Sequence, residues 1–394
     1  MSEAALRDLT CPARALGPLR VRIHRDIDEI DPAEWDGLLA DEELQLSHRF
    51  VRLCQRSRVE DADYWHLLVY QEDRLCGVAS LSRMHVPLDV LSSGMTRCLI
   101  RSVRRRHPAF LRIGLLVCGL PVSFGQPCLK LAPWANAGAV SHVLAAVMGR
   151  IGRETKTHLL CLKEFDPVTA VPVDPVCRHG FFRVPSLPSC SLELRWDSFA
   201  DYLREMTAGY RRQLRATLRT RDAAGLTFRR VESFAAEGDV IHALYGQVIE
   251  RAQYRLETLN RAFIDRLDTD LGGQSRAIVL ERHGRPLAVA VMLFAGTLAT
   301  FLLAGIDYRA DRQWQVYPNL VVAVVDEAIR SGASRLELGQ TSYALKGRLG
   351  AVEVPRFLYL RHRQPLAHLL LRGSAGLLFP RHDYPSRRVF RGTA

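Results

Sequence analysis

The chain has 394 residues, of which 48% are hydrophobic and 24% charged, and its formal net charge is +12. This length and apolar content predict two globular domains and exclude a disordered chain. No apolar run approaches the ~18–20 residues of a membrane-spanning helix, and the N-terminal residues lack the apolar region of a signal peptide. Nine cysteines without a CxxC pair favour neither a zinc site nor a disulfide framework, so we expect no metal and a cytoplasmic location.

Arginine supplies almost all of the positive charge, because only four of the 54 basic residues are lysines. A GC-rich genome would explain this bias without any function. An anionic partner, such as RNA, a phosphate-bearing cofactor or a membrane surface, is the functional explanation. Local clusters of arginine therefore carry more information than the total charge.

Apolar periodicity predicts the same order of elements twice along the chain. In the first half the strands and helices are expected near 20–25, 32–40, 46–57, 64–70, 75–84, 112–118, 137–153, 158–163, 173–179 and up to 195. In the second half they are expected near 226–231, 235–254, 260–270, 276–282, 287–295, 298–306, 318–332, 335–338, 341–349 and 355–362. Residues 65–81 and 276–293 are equivalent hairpin-like segments. The predicted domains are 1–195 and 196–394.

Residues 210–226, YRRQLRATLRTRDAAGL, form a predicted helix crowded with arginines. Arg211, Arg215 and Arg219 share one face, and Arg212 adds to the same charge. Like charges repel, so packing alone does not explain the cluster. Guanidinium groups suit phosphate oxygens, so we interpret Arg211, Arg212 and Arg215 as anion-binding; a solvated helix face is the alternative.

Residues 338–351, LGQTSYALKGRLGA, are the most specific segment of the chain. Lys346 is one of four lysines, and an ammonium differs from a guanidinium in being compact and able to lose its proton. Tyr343 precedes it by three residues and can share a helical face with it. Gln340 offers a neutral donor and acceptor at the same strand-to-helix turn. A surface lysine and a core aromatic residue are the structural alternatives.

Residues 305–319, GIDYRADRQWQVYPN, connect a predicted strand to a predicted helix. Arg309 and Arg312 could bind a phosphate, and Trp314 and Tyr317 could stack on a base or ring. Asn319 lies at the start of the helix. An ordered loop that packs its aromatic residues on the sheet is the alternative.

The order β-α-α-β-β-β-α-β-α-β, present twice, resembles the GCN5-related N-acetyltransferase (GNAT) fold, and two copies in one chain resemble its FemAB-like branch. This resemblance implies an α/β fold (an α+β mixed sheet) with two tandem GNAT-like domains. The basic helix ending at Gly225 is similar to a FemAB-like motif. The segment with Gly339, Lys346, Gly350 and Ala351 is similar to another. Residues 305–319 depart from the glycine-rich pyrophosphate loop of acetyl-CoA-dependent members, as FemAB-like proteins commonly do.

The resemblance implies an N-acyltransferase that moves an acyl or aminoacyl group to an amine on a small metabolite or a cell-envelope precursor. Lys346, Tyr343 and Gln340 are then the catalytic candidates: Lys346 would stabilise the oxyanion and Tyr343 would protonate the leaving group. Arg211, Arg212, Arg215, Arg309, Arg312, Trp314, Tyr317 and Asn319 are the donor- or phosphate-binding candidates. Asp307 and Glu337 are candidates for a general base.

Two co-substrates fit this interpretation, and no permanently bound cofactor is expected. Acyl-CoA is the ordinary choice of the superfamily and is favoured; aminoacyl-tRNA is the choice of the FemAB peptidyltransferases, so tRNA is a candidate partner. A non-catalytic binder of an anionic ligand or nucleic acid is the alternative from another class. Residues 118–125 and the basic run at 102–107 are weaker candidates for substrate contacts, and residues 365–379 for a peripheral membrane contact.

Overall fold

The computed structural model describes residues 8–11, 19–87, 112–252, 258–380 and 387–392. The basic run at 102–107 lies outside these residues. The strands are β1 Asp8–Cys11, β2 Leu19–His24, β3 Asp63–Gln71, β4 Arg74–Pro87, β5 Arg112–Cys118, β6 Leu129–Leu131, β7 Leu159–Phe165, β8 Phe182–Glu193, β9 Leu226–Arg230, β10 Ser275–Arg282, β11 Arg285–Ala295, β12 Leu298–Ile306, β13 Arg335–Gly339 and β14 Val352–His362.

The α-helices lie between or after these strands and include each predicted helix except the one at 173–179, which is a 3-10 helix. They are α1 Pro32–Asp36, α2 His48–Arg56, α3 Ala137–Glu154, α4 Pro167–Ala170, α5 Phe199–Glu205, α6 Ala208–Ala223, α7 Phe234–Arg251, α8 Arg261–Asp265, α9 Leu267–Leu271, α10 Tyr308–Trp314, α11 Val316–Arg330, α12 Tyr343–Arg348, α13 Pro365–Gly373 and α14 Ala375–Leu378. Helices α4, α5 and α10 are additional to the predicted ones. Short 3-10 helices cover Ile27–Glu29, Leu44–Leu46, Val59–Asp61, Asp174–His179 and Gly272–Gln274.

The chain forms two compact units, each assembled from several chain segments. The first contains residues 1–186, 253–259 and 355–381; the second contains 187–252, 260–354 and 382–394. The predicted domains, 1–195 and 196–394, are continuous instead. The difference arises because each half of the chain contributes one strand to the sheet of the other unit, and local patterning predicts a strand but not its partner.

The sheet of the first unit has the order β1-β2-β3-β4-β5-β7-β14, with β6 beside β4. Neighbouring strands are antiparallel except β5 and β7, which pair in parallel from Leu115/Leu159 to Cys118/Leu162. Helix α3 covers one face and buries Val140, Leu144 and Met148 in a core with the strands. Each unit therefore has the mixed sheet of an α/β fold, as predicted.

The sheet of the second unit has the order β8-β13-β12-β11-β10-β9. Only β12 and β13 are parallel within it. Helix α11 covers one face, and α7 lies against β11 and β12. Gly305 permits this approach of α7, because a Cβ atom there would lie 2.7 Å from Leu244 Cβ. The predicted helix at 260–270 is two short helices, α8 and α9.

Candidate functional site

Two parallel strands of the second unit separate at one end of its sheet. Strands β12 and β13 pair at Leu298/Arg335, Ala299/Leu336 and Thr300/Glu337. In residues 298–339, all of which the structure describes, β12 continues to Ile306 without a further pair to β13, while Gly339 pairs with Cys190 of β8. Backbone groups of β12 beyond Thr300 are therefore available to a ligand on this edge.

The turn at the open end, residues 339–342, carries an unusual concentration of left-handed backbone. Gly339, Thr341 and Ser342 have φ angles of 69°, 67° and 52°. Such a conformation costs about 1–3 kcal/mol at a non-glycine residue and persists where neighbouring contacts enforce it. Helix α12 begins directly afterwards, at Tyr343. Contacts with neighbouring residues must therefore hold the turn in this conformation.

Lys346, in helix α12, holds the turn through hydrogen bonds. Its Nζ donates hydrogen bonds to the carbonyl oxygens of Gly339 at 3.2 Å and Gln340 at 2.7 Å. The residue is 2% exposed, and burial lowers the pKa of the ammonium to about 8. The sequence predicted that Lys346 lies on a helix next to this turn, and the structure places it there. The alternative, a lysine on the surface, is wrong. Lys346 contacts the backbone of the turn, and its oxyanion role stays a prediction.

Tyr343 and Gln340 attach the same turn to strand β8. The Tyr343 hydroxyl donates to the Pro188 carbonyl oxygen at 2.9 Å, and Gln340 Nε2 donates to the Leu187 carbonyl oxygen at 2.9 Å. The three predicted catalytic residues thus converge on one turn of the second unit. Each makes backbone hydrogen bonds, which sequence analysis missed because β8 lies about 150 residues away along the chain.

Tyr317 and Asn319 both lie in the first turn of α11 but have different contacts. Tyr317 hydrogen-bonds to Ser342, and burial raises the pKa of its phenol. Asn319 is buried, and its Nδ2 donates to the Gln315 carbonyl oxygen at 3.0 Å. Its Oδ1 is buried without a hydrogen-bond partner. Tyr317 therefore reaches the candidate site, whereas Asn319 stabilises the start of α11.

The prediction that residues 305–319 form a loop is wrong, because they contain helix α10, which ends at Trp314. Gln315, with a φ angle of 52°, separates it from α11. Asp307 Oδ1 accepts the Arg309 N–H at 3.0 Å, and Asp311 Oδ1 accepts the Tyr317 N–H at 2.7 Å. Carboxylates of the chain thus occupy the helix starts that could bind a phosphate. Asp307 also forms an ion pair with Arg285 at 2.9 Å. Its role as a general base stays a prediction.

A cationic cavity of about 450 Å³ lies between α10 and the turn that joins β10 to β11. Its basic lining residues are Arg282, His283, Arg285 and Arg309. The guanidinium of Arg282 lies 4.5 Å from the ring centroid of Trp314, which also lines the cavity. Among the described residues no acceptor binds the Arg309 guanidinium. Arg309 and Trp314 are therefore brought together at an open anion-attracting surface; Arg312 is exposed outside the cavity lining.

The arginines of α6 divide into two groups. Arg211 donates to the Arg204 carbonyl oxygen at 3.0 Å, so it serves the local fold. Arg212, Arg215 and Arg219 are exposed, and no described carboxylate pairs with them. Their spacing places them on one helix face. Gly225, with a φ angle of 64°, follows the helix as predicted for a terminating glycine.

The described residues contain no group of three His, Cys, Asp or Glu side chains placed to hold a metal ion. In the same part of the chain no helix is both long and apolar enough to cross a membrane. The candidate site consists of the diverging strands β12 and β13, the turn at 339–342, Tyr343 and Lys346.

Comparisons with known proteins agree with this architecture. Residues 208–347 match the family model described as "Acetyltransferase (GNAT) domain". FemX, at 12% identity and a TM-score of 0.56, covers 86% of this chain and 98% of its own. A tandem GNAT protein from the clavulanic acid biosynthesis pathway, at 13% identity and a TM-score of 0.54, covers 88% of this chain and 99% of its own.

Two curated sequences from strains of Mycobacterium tuberculosis also match, each named "Putative 8-amino-7-oxononanoate synthase 2". They are 25% identical over 331 residues, which is 82% of this chain and 43% of the relative. The chain thus spans less than half the length of these relatives. The family match and the two structures confirm the GNAT resemblance inferred from sequence: residues 208–347 match a GNAT domain, and the chain has a tandem GNAT fold similar to that of FemX and of the tandem GNAT protein.

Proposed function

We propose that the second unit transfers an acyl or aminoacyl group from an activated donor to an amine. The divergence of the parallel strands β12 and β13 carries the proposal, because it leaves backbone N–H groups of β12 beside the turn at 339–342. The acceptor nitrogen forms a bond to the donor carbonyl carbon, and the carbon–carrier bond breaks. The nitrogen loses a proton and the carrier gains one. Backbone N–H groups of β12 would stabilise the oxyanion formed between these steps.

Tyr343 is our candidate for the group that protonates the carrier. Its hydroxyl donates to the Pro188 carbonyl oxygen, a bond that must open or be shared during the transfer. Lys346 we assign as a positioning residue, because its two hydrogen bonds go to the turn at Gly339 and Gln340. Gln340 holds the same turn against β8. The enzyme would act mainly by orienting both substrates and excluding water.

The first donor candidate is acyl-CoA, the co-substrate implied by the fold. A specific observation favours aminoacyl-tRNA as the second: Asp307 and Asp311 occupy the helix starts where backbone N–H groups would hold a pyrophosphate. A donor would then be held by arginine side chains, which suit the repeated phosphates of tRNA. The acceptor would be an amine of a small metabolite or envelope precursor. We expect the reaction in the cytoplasm, where both donors are made.

Donor binding tests the proposal directly. The full chain is titrated in parallel with acetyl-CoA, a longer acyl-CoA, aminoacyl-tRNA and uncharged tRNA, each at low and moderate salt. Saturable acyl-CoA binding that survives moderate salt supports the first donor. Tighter binding of aminoacyl-tRNA than of uncharged tRNA supports the second. Equal binding of charged and uncharged tRNA without acyl-CoA binding would instead support a non-catalytic nucleic-acid binder.

The exposed arginines of α6 give a second prediction. We expect the combined change Arg212→Gln, Arg215→Gln and Arg219→Gln to weaken tRNA binding at least tenfold at low salt. The slope of log K against log salt should fall by about 2–3, since each phosphate contact contributes roughly 0.7–0.9. The matched control changes Arg178, Arg330 and Arg388 to glutamine, with the same loss of charge. Equal losses in both triple variants would contradict a specific role for α6.

The C-terminal helices of the first unit suggest contact with an anionic membrane surface. Four leucines of α13 and α14 are between 66% and 84% exposed: Leu366, Leu369, Leu370 and Leu377. Residues 363–380 contain two arginines and no acidic residue, so the charge of this segment complements anionic lipid. Burying the leucines in the headgroup region would place the enzyme near an envelope precursor.

Vesicle co-sedimentation tests that surface. We expect the chain to bind phosphatidylcholine vesicles that contain phosphatidylglycerol several-fold better than vesicles without it. The double change Leu369→Ser and Leu370→Ser should remove most of this binding. The control is Val168→Ser with Val171→Ser, two valines that are 79% and 66% exposed elsewhere in the first unit. Unchanged sedimentation of the leucine variant would contradict the membrane contact.

A further inference from the structure

The cavity between α10 and the turn that joins β10 to β11 has room for more than a simple ion. Its volume of about 450 Å³ lies within the range of roughly 300–1,000 Å³ that small-molecule sites occupy. All of its lining residues belong to the second unit. The cavity lies at the carboxyl end of β12, because Asp307, the residue after Ile306, lines it. Its size is therefore that of a site for an organic ligand.

The lining of this cavity carries an excess of positive charge. Three guanidinium groups line it, from Arg282, Arg285 and Arg309. Asp307 is the single carboxylate among the described residues of the lining. Its Oδ2 accepts from the Arg285 guanidinium at 2.9 Å, and its Oδ1 accepts the Arg309 backbone N–H at 3.0 Å. Asp307 thus balances one guanidinium, and the charges of Arg282 and Arg309 attract an anion to the cavity.

Arg282 is held in place by the protein itself. Its Nε donates to the Ala224 carbonyl oxygen at 2.8 Å, and its guanidinium lies 4.5 Å from the ring centroid of Trp314. The bond to Ala224 uses one of the five N–H groups that a guanidinium can donate. Trp314 in turn packs against the core of the second unit. A side chain ordered in this way loses little freedom when a ligand binds, which favours affinity.

The same pair of side chains gives the cavity a flat surface. The indole of Trp314 and the guanidinium stacked on it are both planar, and nucleic-acid bases stack on both kinds of plane. The amide of Gln313 also lines the cavity, and an amide both donates to and accepts from the edge of a base. A phosphate alone would use the arginines but neither the indole nor the amide. Together these groups fit a ligand that combines a ring with a phosphate.

The cavity and the open edge of β12 lie along one strand. Pairing of β12 with β13 ends at Thr300, and β12 continues to Ile306 beside the cavity. At about 3.3 Å per residue, this part of the strand is roughly 20 Å long. A donor that follows the open edge would place its carrier in the cavity and its carbonyl nearer to the turn at 339–342.

We propose that this cavity binds a nucleotide, with the phosphate on Arg282 and Arg309 and the base against the plane of Trp314 and the stacked guanidinium. CoA and RNA both contain this combination of ring and phosphate, so either is a source of the nucleotide. The assignment of the nucleotide to the carrier of the acyl donor rests on the function proposed above. The binding of a nucleotide in the cavity does not depend on that function.

Isothermal titration calorimetry of the full chain tests the site with AMP, ribose 5-phosphate and adenosine as probes. We expect AMP to bind at least tenfold more tightly than ribose 5-phosphate, which lacks the base, and than adenosine, which lacks the phosphate. Arg309→Gln should weaken AMP binding at least tenfold. The matched control is Arg312→Gln, because Arg312 is exposed on the same helix but outside the cavity lining. This control should change AMP binding less than twofold.

Three results of the titration would overturn the nucleotide site. The first is no binding of AMP by the wild type, and the second is an equal loss of binding in the two arginine variants. The third is equal binding of AMP and ribose 5-phosphate, because the base would then contribute nothing. Arg309 and Arg312 are both exposed, so neither change removes a side chain from the core, and circular dichroism verifies that both variants fold.

Competition with AMP distinguishes the two sources of the nucleotide. Displacement by unacylated CoA but not by a single-stranded RNA trinucleotide identifies CoA, and the reverse identifies RNA. AMP binding that neither competitor displaces would overturn the link to the acyl donor. Arg309-dependent AMP binding in a chain that transfers no acyl group from any donor would support the cavity site and contradict the transfer function alone.

Photoaffinity labelling locates the nucleotide without any variant. The full chain is irradiated with azido-AMP, and peptide mass spectrometry identifies the labelled segments. We expect the label on peptides that contain α10 or the turn between β10 and β11, and excess AMP should prevent it. Labelling confined to other peptides would contradict binding in this cavity.

Discussion

The change Gly350→Ala should lower the free energy of unfolding by about 3–4 kcal/mol. Gly350 has a φ angle of 92°, and a Cβ atom there would lie 2.2 Å from Phe390 Cε2. Phe390 cannot easily retreat, because its ring packs against Trp196 and Tyr202. Left-handed backbone costs an alanine roughly 1–2 kcal/mol, and overpacking a core adds roughly 1–3 kcal/mol. Urea unfolding followed by circular dichroism measures the change.

Gly373 provides the matched control for that substitution. It lies at the end of α13, and a Cβ atom there would meet nothing within 4 Å. Gly373→Ala should alter the free energy of unfolding by less than about 1 kcal/mol, in the stabilising direction expected for alanine in a helix. Equal losses of stability in both variants would show that the contact with Phe390 does not decide the effect.

The change Lys346→Met should reduce turnover at least about 100-fold while the chain still folds. Methionine fills a similar volume but leaves the carbonyl oxygens of Gly339 and Gln340 without their donor. The left-handed turn can then relax, and a displacement of about 1 Å in a positioned site costs on the order of 100-fold in rate. Steady-state kinetics measures the loss, with Lys130→Met as the control for a lysine outside the second unit. Normal kcat in Lys346→Met would contradict the positioning role.

The lowered pKa of Lys346 also predicts how stability depends on pH. In the folded protein the ammonium loses its proton near pH 8, whereas the ordinary lysine value is 10.5. Below pH 8 both states carry the charge and the folded state bears the full cost of burying it. As pH rises above 8 the unfolded state binds more protons, so this cost is relieved. Relative to Lys346→Met, the wild type should gain about 2 kcal/mol between pH 7 and pH 9.5. A difference that stays constant over this range would contradict burial as the cause.

The sequence predicted most strands and helices, because these elements depend on apolar periodicity within a few neighbouring residues. The strands at 112–118 and 298–306 have the predicted bounds, and α11 was displaced by two residues. The prediction failed at residues 308–314, where Asp307 caps a short helix that buries Ala310. A helix of this length is too short for apolar periodicity to identify.

Local sequence patterns did not predict that β8, from the first half of the chain, joins the sheet of the second unit, or that β14, from the second half, joins the sheet of the first. This exchange matters for the site, since β8 supplies the carbonyl oxygens that bind Gln340 and Tyr343. The rarity of lysine did identify Lys346, and the structure gives it a defined contact.

Release of the carrier from the donor is the measurement that tests the central claim most directly. The full chain is incubated with acetyl-CoA or aminoacyl-tRNA and a mixture of small amines and amine-bearing envelope precursors, and free CoA thiol or uncharged tRNA is followed with time. The account predicts amine-dependent release from at least one donor by the wild type, and release at least about 100-fold slower by a folded Lys346→Met variant. No release from either donor by the wild type, or equal release by both proteins, would contradict an acyl-transfer site at the turn of residues 339–342.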